Sequence, residues 1–220
     1  MKEFLKKIPV VKALSKLVSS KKQFAGSEAY WENRYKTGGH SGAGSYNNLA
    51  LFKADVLNKF VDEHQIKSVI EFGSGDGNQL KLFNFPLYTG VDVSRVAIDQ
   101  CKLIFAGDET KRFVHSAAFT PTSAEMALSL DVIYHLVEDE VFDTYMRQLF
   151  ESGERFVIVY SSNYEDDGTY ASHVRPRKFT DWVEKNTSFR LLEMIPNAFP
   201  FDAEKPESTS FADFYIYERK

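Results

Sequence analysis

The sequence predicts an α/β domain in which a mostly parallel sheet carries helices on both faces, its last strand runs antiparallel, and a helical extension precedes it. Three observations carry that prediction. From residue 48 onward, short apolar runs alternate with segments of helical period, the rhythm of strand–helix–strand crossovers. A glycine-rich turn, GSGDG at residues 73–77, follows the first of those runs. Near the end the rhythm stops: FRLLEMI and FADFYIYER read as two strands with no helix between them, so the last strand has to insert antiparallel to its neighbours.

The elements follow in order. NLALFKADVLNKFVDEHQ puts Leu49, Phe52, Val56, Leu57 and Phe60 on one helical face. KSVIEF is a short buried strand, and after the glycines GNQLKLF reads as a return to helix. LYTGVDVS is the second strand, and SRVAIDQCKLIFAG is a helix that Ser94 is placed to cap. RFVHSA and MALSLDVIYHL are the third and fourth strands. VEDEVFDTYMRQLFESG is a helix ending at Gly153, and RFVIVYSS is the fifth strand. The Pro- and Ser-rich NAFPFDAEKPESTS is the loop of the closing hairpin, not a domain boundary. Residues 48–220 thus form the sheet domain, and residues 1–47 a helix and a cap in front of it.

Composition narrows the function. A net charge of −4 argues against a general nucleic-acid binder, which carries a basic surplus. One cysteine, Cys101, excludes an internal disulfide and a cysteine-based zinc site, and it fits a reducing cytoplasm, the expected location. No apolar run is long enough to span a bilayer. Lys6, Lys7, Lys12, Lys16 and Pro9 interrupt the N-terminal apolar stretch, and no small-residue cleavage site follows, so it is not a signal peptide. The spacing of Leu5, Ile8, Val11, Leu14, Leu17 and Val18 suits an amphipathic helix with a lysine-rich face. Two readings of that helix stand: it packs on its own domain or on a second subunit of a homodimer, or it lies on the anionic inner face of a membrane.

The glycine turn is the main functional signal. Gly73, Gly75 and Gly77 between strand and helix let backbone approach a ligand and aim free amides at it. Asp92 ends the next strand, where a carboxylate can accept from both hydroxyls of a ribose. Together they point to an adenosine-type cofactor at the carboxyl edge of the sheet. Nicotinamide enzymes prefer G-x-G-x-x-G, but Asn78 stands at the third glycine's place. The spacing here is G-x-G-x-G, with Glu71 two residues before the first glycine.

That pattern resembles motif I of the class I S-adenosylmethionine-dependent methyltransferases. GVDVS resembles their acidic second motif, LSLDVIYHLVED the fourth-strand motif, and the closing hairpin their antiparallel seventh strand. The resemblance covers residues 48–220. It implies a Rossmann-like sheet of seven strands and S-adenosylmethionine as donor, with S-adenosylhomocysteine as product. It also implies donor contacts from Glu71, Gly73, Ser74, Gly75, Gly77, Asp92, Val93 and Asp131. YWENRYKTGGHSGAGSYNNLALFKADVL and HVRPRKFTDWV resemble small methyltransferases of bacterial capsule and surface-glycan clusters. This implies a small acceptor: a sugar, a nucleotide-linked sugar or a phosphate-bearing precursor such as a phosphoramidate, most simply methylated at oxygen. Two alternatives stay open, a nicotinamide-dependent oxidoreductase and a methyltransferase-like scaffold without activity.

Transfer to a hydroxyl benefits from a base poised near neutral pH. His135, after the fourth strand, and His173, beside Arg175, Arg177 and Lys178, are the candidates. Each has a duller reading, a backbone hydrogen bond for His135 and a solvated cationic face around His173. Arg175 and Arg177 are expected to hold a phosphate or carboxylate of the acceptor, with His40, Tyr134 and Tyr164 also on the acceptor side. Tyr30, Trp31 and Tyr35 are either hydrophobic anchors or part of a cap over the donor, and SGAGSY is expected to be a loop that orders on donor binding. Asp166 and Asp167 lack a third ligand pattern, so no metal is expected.

Overall fold

The structure, a computed structural model, describes residues 24–220. The amphipathic helix expected within residues 1–22, with its membrane or subunit contact, lies outside them. Helix α1 spans Ser27–Lys36 and α2 Asn47–Glu63. Strand β1 is Ser68–Phe72, β2 Leu87–Asp92, β3 Lys111–His115, β4 Ala124–Leu130 and β5 Gly153–Ser161. Helix α3, Arg95–Ile104, joins β2 to β3, and α4, Asp139–Ser152, joins β4 to β5. Helix α5, Phe179–Asn186, precedes β6, Phe189–Ile195, and β7, Asp213–Arg219.

The seven strands lie in the order β3-β2-β1-β4-β5-β7-β6. The first five pair in parallel, and β7 runs antiparallel to both β5 and β6. The period-two alternation of each strand divides the core in two. Val69, Met126, Leu128 and Ile158 pack with α2 and α3 on one face. Ile70, Ala127, Val157 and Val159 pack with α4 and α5 on the other. Because each central strand is buried on both faces, it reads as a continuous apolar run.

Two expected elements are shorter than their apolar patterns. Residues 79–82 form a single 3₁₀ turn instead of a helix. The Asn58 side chain donates to the Leu82 carbonyl and accepts from the Asn84 amide, at 2.9 and 2.8 Å, which draws the chain straight there. Phe83 and Phe85 are then buried in the sheet core. The strand expected through His135 stops at Leu130, because Asp131 takes the left-handed φ of 60° and turns the chain into a 3₁₀ turn at Ile133–His135. The Ser94 cap forms as expected, its Oγ accepting from the Ala97 amide at 3.3 Å.

Gly77 makes the packing of α3 depend on the glycine turn. Its φ is +77°, and a Cβ there would lie 3.0 Å from Cys101 Sγ and 3.1 Å from the Phe105 ring. Gly77→Ala is therefore expected to cost about 1–3 kcal/mol through left-handed strain and crowding. Urea unfolding measures it, and an unchanged midpoint would contradict this packing role.

Candidate active site

A cavity of about 460 Å³ opens at the carboxyl ends of β1, β2 and β4, within the roughly 300–1,000 Å³ typical of small-molecule sites. Gly73, Ser74 and Gly75 form its floor, Asp92, Val93 and Asp131 stand at its sides, and Ser27, Trp31, Tyr35 and Ser41 lie across it from the N-terminal region. Among the described residues no helix is long and apolar enough to cross a membrane.

The loop's amides are not free, which corrects the expectation that they point at a ligand. Gly73 and Ser74 donate to the Val91 carbonyl at 2.7 and 3.1 Å. Gly75 donates to Asp92 Oδ2 at 2.9 Å and Asp76 to Ser41 Oγ at 3.0 Å. What the loop presents instead is backbone without side chains, ringed by carboxylates. Gly75, at φ +61°, would place a Cβ 2.3 Å from Ser41 Oγ, so only glycine admits the segment that closes over it.

Three carboxylates surround this loop. Glu71 is buried and accepts from the Tyr88 hydroxyl at 2.5 Å. Burial pushes its carboxyl up to about 7, against the Tyr88 hydrogen bond and the charge of Lys53. Asp92 accepts from the amides of Gly75 and Ser94; burial raises its pKa although those bonds oppose the rise. Asp76 is also penalised by burial, but bonds from the Ser41 and Asn78 amides and the Tyr46 hydroxyl outweigh that and hold it below the usual carboxylate range. Gly77, expected on the donor, packs under α3 outside the cavity lining.

Lys53 is the residue that the sequence pattern hid. It is only 1% exposed, lines the cavity from α2, and sets its Nζ 2.6 Å from Asp131 Oδ2. The Tyr134 hydroxyl donates to Asp131 Oδ1 at 2.8 Å, and Lys53 Nζ lies 5.1 Å from the centre of the Tyr160 ring. A signal was present: Lys53 falls four residues after Leu49 and four before Leu57, inside the buried stripe of its helix.

The N-terminal region docks through polar contacts. Ser27 donates from both its amide and its hydroxyl to Glu138, and Ser94 donates to Glu32 at 2.6 Å. Tyr35 is buried, its hydroxyl 3.0 Å from Ser41 Oγ; burial and then the charge of Asp92 push that hydroxyl far up. The SGAGSY segment, expected as an unformed loop, makes a 3₁₀ turn at Ala43–Ser45 that is pinned to Asp76 through Ser41 and Tyr46.

The two candidate histidines separate. His135 lines the cavity, is nearly buried, and has its Nδ1 3.0 Å from the His173 carbonyl. A carbonyl only accepts, so Nδ1 carries the proton and Nε2 keeps its lone pair. Burial, more than any neighbour, lowers this imidazole to about 4. His173 lies outside the cavity lining, its ring stacked on Tyr30 at 4.3 Å and parallel to His135 at 5.8 Å. Tyr30 therefore supports His173, and Trp31 is the aromatic that faces the cavity.

Arg175 and Arg177 do not face the site, contrary to expectation. Arg177 donates to the carbonyls of Leu136 and Val137 and to Asp139 at 2.7–3.0 Å, and Arg175 donates to Val137 and Asp139, both at 2.9 Å. The Arg177 guanidinium, and Nη1 of Arg175, are engaged in pinning the turn before α4. Tyr164 accepts from Tyr170 on an exposed loop, and His40 is exposed, its Nδ1 accepting from the Gly42 amide; neither lines the cavity. Asp166 and Asp167 cap their own loop at Gly168 and Thr169.

No family model and no curated protein matches the sequence. Solved structures do match by shape. The magnesium protoporphyrin IX methyltransferase of Synechocystis PCC 6803, with S-adenosylhomocysteine bound, superposes with a TM-score of 0.62 at 13% identity, over 88% of this chain and 98% of that one. The N-methyltransferase NodS of Bradyrhizobium japonicum, also with S-adenosylhomocysteine, gives 0.61 at 12% identity, over 77% and 85%. The methyltransferase domain of bacterial CtHen1-C gives 0.60 at 20% identity, over 78% and 99%. The fold is thus the Rossmann-like fold of class I S-adenosylmethionine-dependent methyltransferases.

Two outcomes follow from the buried charges. Lys53→Ala strands Asp131, and breaking such a pair costs about 3–5 kcal/mol. Lys53→Met with Asp131→Asn should cost less than the sum of the single changes in urea unfolding, and additivity would deny the pairing. Glu71 titrates higher folded than unfolded, so its contribution is most favourable below the ordinary carboxylate range and is lost as pH rises towards about 7. Glu71→Gln should flatten the pH dependence of stability in that window; an unaltered slope would show that Glu71 is ionised when folded.

Proposed function

We propose that the chain is a methyltransferase using S-adenosylmethionine, and that it methylates an oxygen of a small surface-glycan precursor, a sugar, a nucleotide-linked sugar or a phosphate-bearing one. The observation that carries the donor reading is the charge around the glycine loop: Glu71, Asp76 and Asp92 ring it, and the amides of residues 73–76 are already bonded. A dinucleotide's pyrophosphate needs free amides and a helix N-terminus. Here only a 3₁₀ turn follows the loop. A donor that carries a sulfonium and an ammonium suits the same acidic surround. This favours methyl donor over nicotinamide, and the intact carboxylates and cavity speak against an inert scaffold.

The residues present fit such a donor. Ser74 Oγ is buried at the cavity wall with no hydrogen-bond partner among the described residues, an unmet bond that a ligand can complete. A carboxylate has about four acceptor positions, and Asp92 spends two on amides, leaving capacity for ribose hydroxyls. Asp131, fixed in place by Lys53, offers its carboxylate to the ammonium end. When bound, the donor supplies an electrophilic methyl group. The chain's part is to hold the acceptor at Trp31 and His135 and to take its proton at His135 Nε2. The His173 carbonyl keeps that imidazole in the required tautomer. The glycan assignment of the acceptor rests on the likeness of residues 30–57 and 173–183 to surface-glycan methyltransferases.

Asp92→Ala is expected to weaken S-adenosylhomocysteine binding by about tenfold to a hundredfold, the worth of hydrogen bonds to a charged group. His135→Gln is expected to spare that affinity and to slow methyl transfer by roughly 10²–10⁴. Calorimetry reads the first and a turnover assay with the acceptor reads the second. Unchanged affinity in Asp92→Ala would sink the ribose role, and unchanged turnover in His135→Gln would remove the base.

A further inference from the structure

We propose that Arg34, with the His173 ring beside it, forms an oxyanion subsite at the edge of the cavity that holds a phosphoryl or carboxylate group of the acceptor. Calling the ligand an acceptor rests on the methyltransferase reading above; the subsite itself does not.

Arg34 stands on α1, half-buried, and its Nε donates to the His40 carbonyl at 2.7 Å. A guanidinium has five N–H donors in a planar fork, and among the described residues no other hydrogen bond and no ion pair uses the remaining four. Arg175 and Arg177 present the contrast, since both are ion-paired to Asp139. Arg34 Cζ lies 5.6 Å from the centre of the Trp31 ring. Trp31 in turn lines the cavity and meets His135 edge-on at 4.8 Å. Among the described residues no carboxylate is ion-paired to this cation.

His173 completes the arrangement. Its ring is sandwiched between Tyr30 and His135, and among the described residues neither ring nitrogen is hydrogen-bonded; only its carbonyl is engaged. Burial first, and then the charge of Arg34, hold this imidazole below its ordinary value. A partly desolvated cation without a counter-ion is costly, and a forked guanidinium is the group best shaped to receive a carboxylate or phosphoryl oxygen pair. An oxyanion on Arg34 would share the Trp31 ring with His135, so the acceptor's charged end would be fixed on the base's side of the cavity. Its charge would also offset that of Arg34, one of the influences that depress His135.

The test uses the full chain saturated with S-adenosylhomocysteine, titrated calorimetrically with inorganic phosphate and, separately, with acetate. Wild type should bind one of them, phosphate marking a phosphoryl acceptor and acetate a carboxylate. Arg34→Gln should weaken that binding by roughly tenfold or more, while Arg175→Gln, outside the cavity lining and ion-paired to Asp139, should leave it within about twofold. Arg34 also orders the 38–46 segment, so the ring proton resonances of His135 and His173 in wild type provide a second reading: they shift on phosphate or acetate addition if the subsite exists. Equal affinity in Arg34→Gln, or silent histidine resonances in wild type, overturns the proposal. Oxyanion binding that depends on Arg34 in a chain that ignores S-adenosylhomocysteine upholds the subsite and refutes the donor reading instead.

Discussion

The site depends on where the amides of the glycine loop go. Gly73 and Ser74 give theirs to Val91, and Gly75 gives its own to Asp92. These bonds lash the end of β1 to the end of β2 and hold Asp92 at the cavity's side. They also reverse the electrostatic sign of the turn. A glycine loop whose amides point outward attracts phosphate; one whose amides are consumed presents carbonyls and side-chain carboxylates. The acidic character of the site thus follows from the hydrogen bonding of four consecutive residues.

Everything that closes the site is fastened to that loop or to the β4 turn. Asp76 takes the Ser41 amide and the Tyr46 hydroxyl, which anchors residues 41–46, and Glu138 takes Ser27, which anchors the start of α1. Lys53 reaches up from α2 to Asp131, in the left-handed conformation where β4 ends. A buried ion pair adds little net stability compared with an apolar pair of similar volume. Its value here is positional, because it fixes a carboxylate and an ammonium at the cavity wall. The turn after Asp131 then delivers His135, and the Arg175–Arg177–Asp139 cluster holds the backbone that follows.

Most of the fold was legible because strands buried on both faces leave continuous apolar runs, and the glycine spacing with Asp92 marked the edge where the cavity opens. The antiparallel β7 was legible from the missing helix. The helix expected after the glycines was not formed, since its apolar residues belong to a turn drawn straight by Asn58, a tertiary bond that no local pattern encodes. Charged residues were the least legible. Arg175 and Arg177 look like free cations in sequence, yet the fold pairs them with Asp139. Arg34 looks like one charge on a polar helix, yet among the described residues it is ion-paired to no acid. Lys53 carried a detectable mark, a lysine at the centre of a buried stripe. Whether a charge is paired is decided in three dimensions, and sequence spacing alone does not resolve it.

The most direct test of the account is calorimetric titration of the purified protein with S-adenosylhomocysteine, with NADH run alongside. An acidic loop without free amides predicts S-adenosylhomocysteine binding with a dissociation constant on the order of micromolar and no heat from NADH. Binding of NADH with no binding of S-adenosylhomocysteine would contradict the central claim, because a pyrophosphate would then be held at a loop whose amides at residues 73–76 are already bonded and which carboxylates surround.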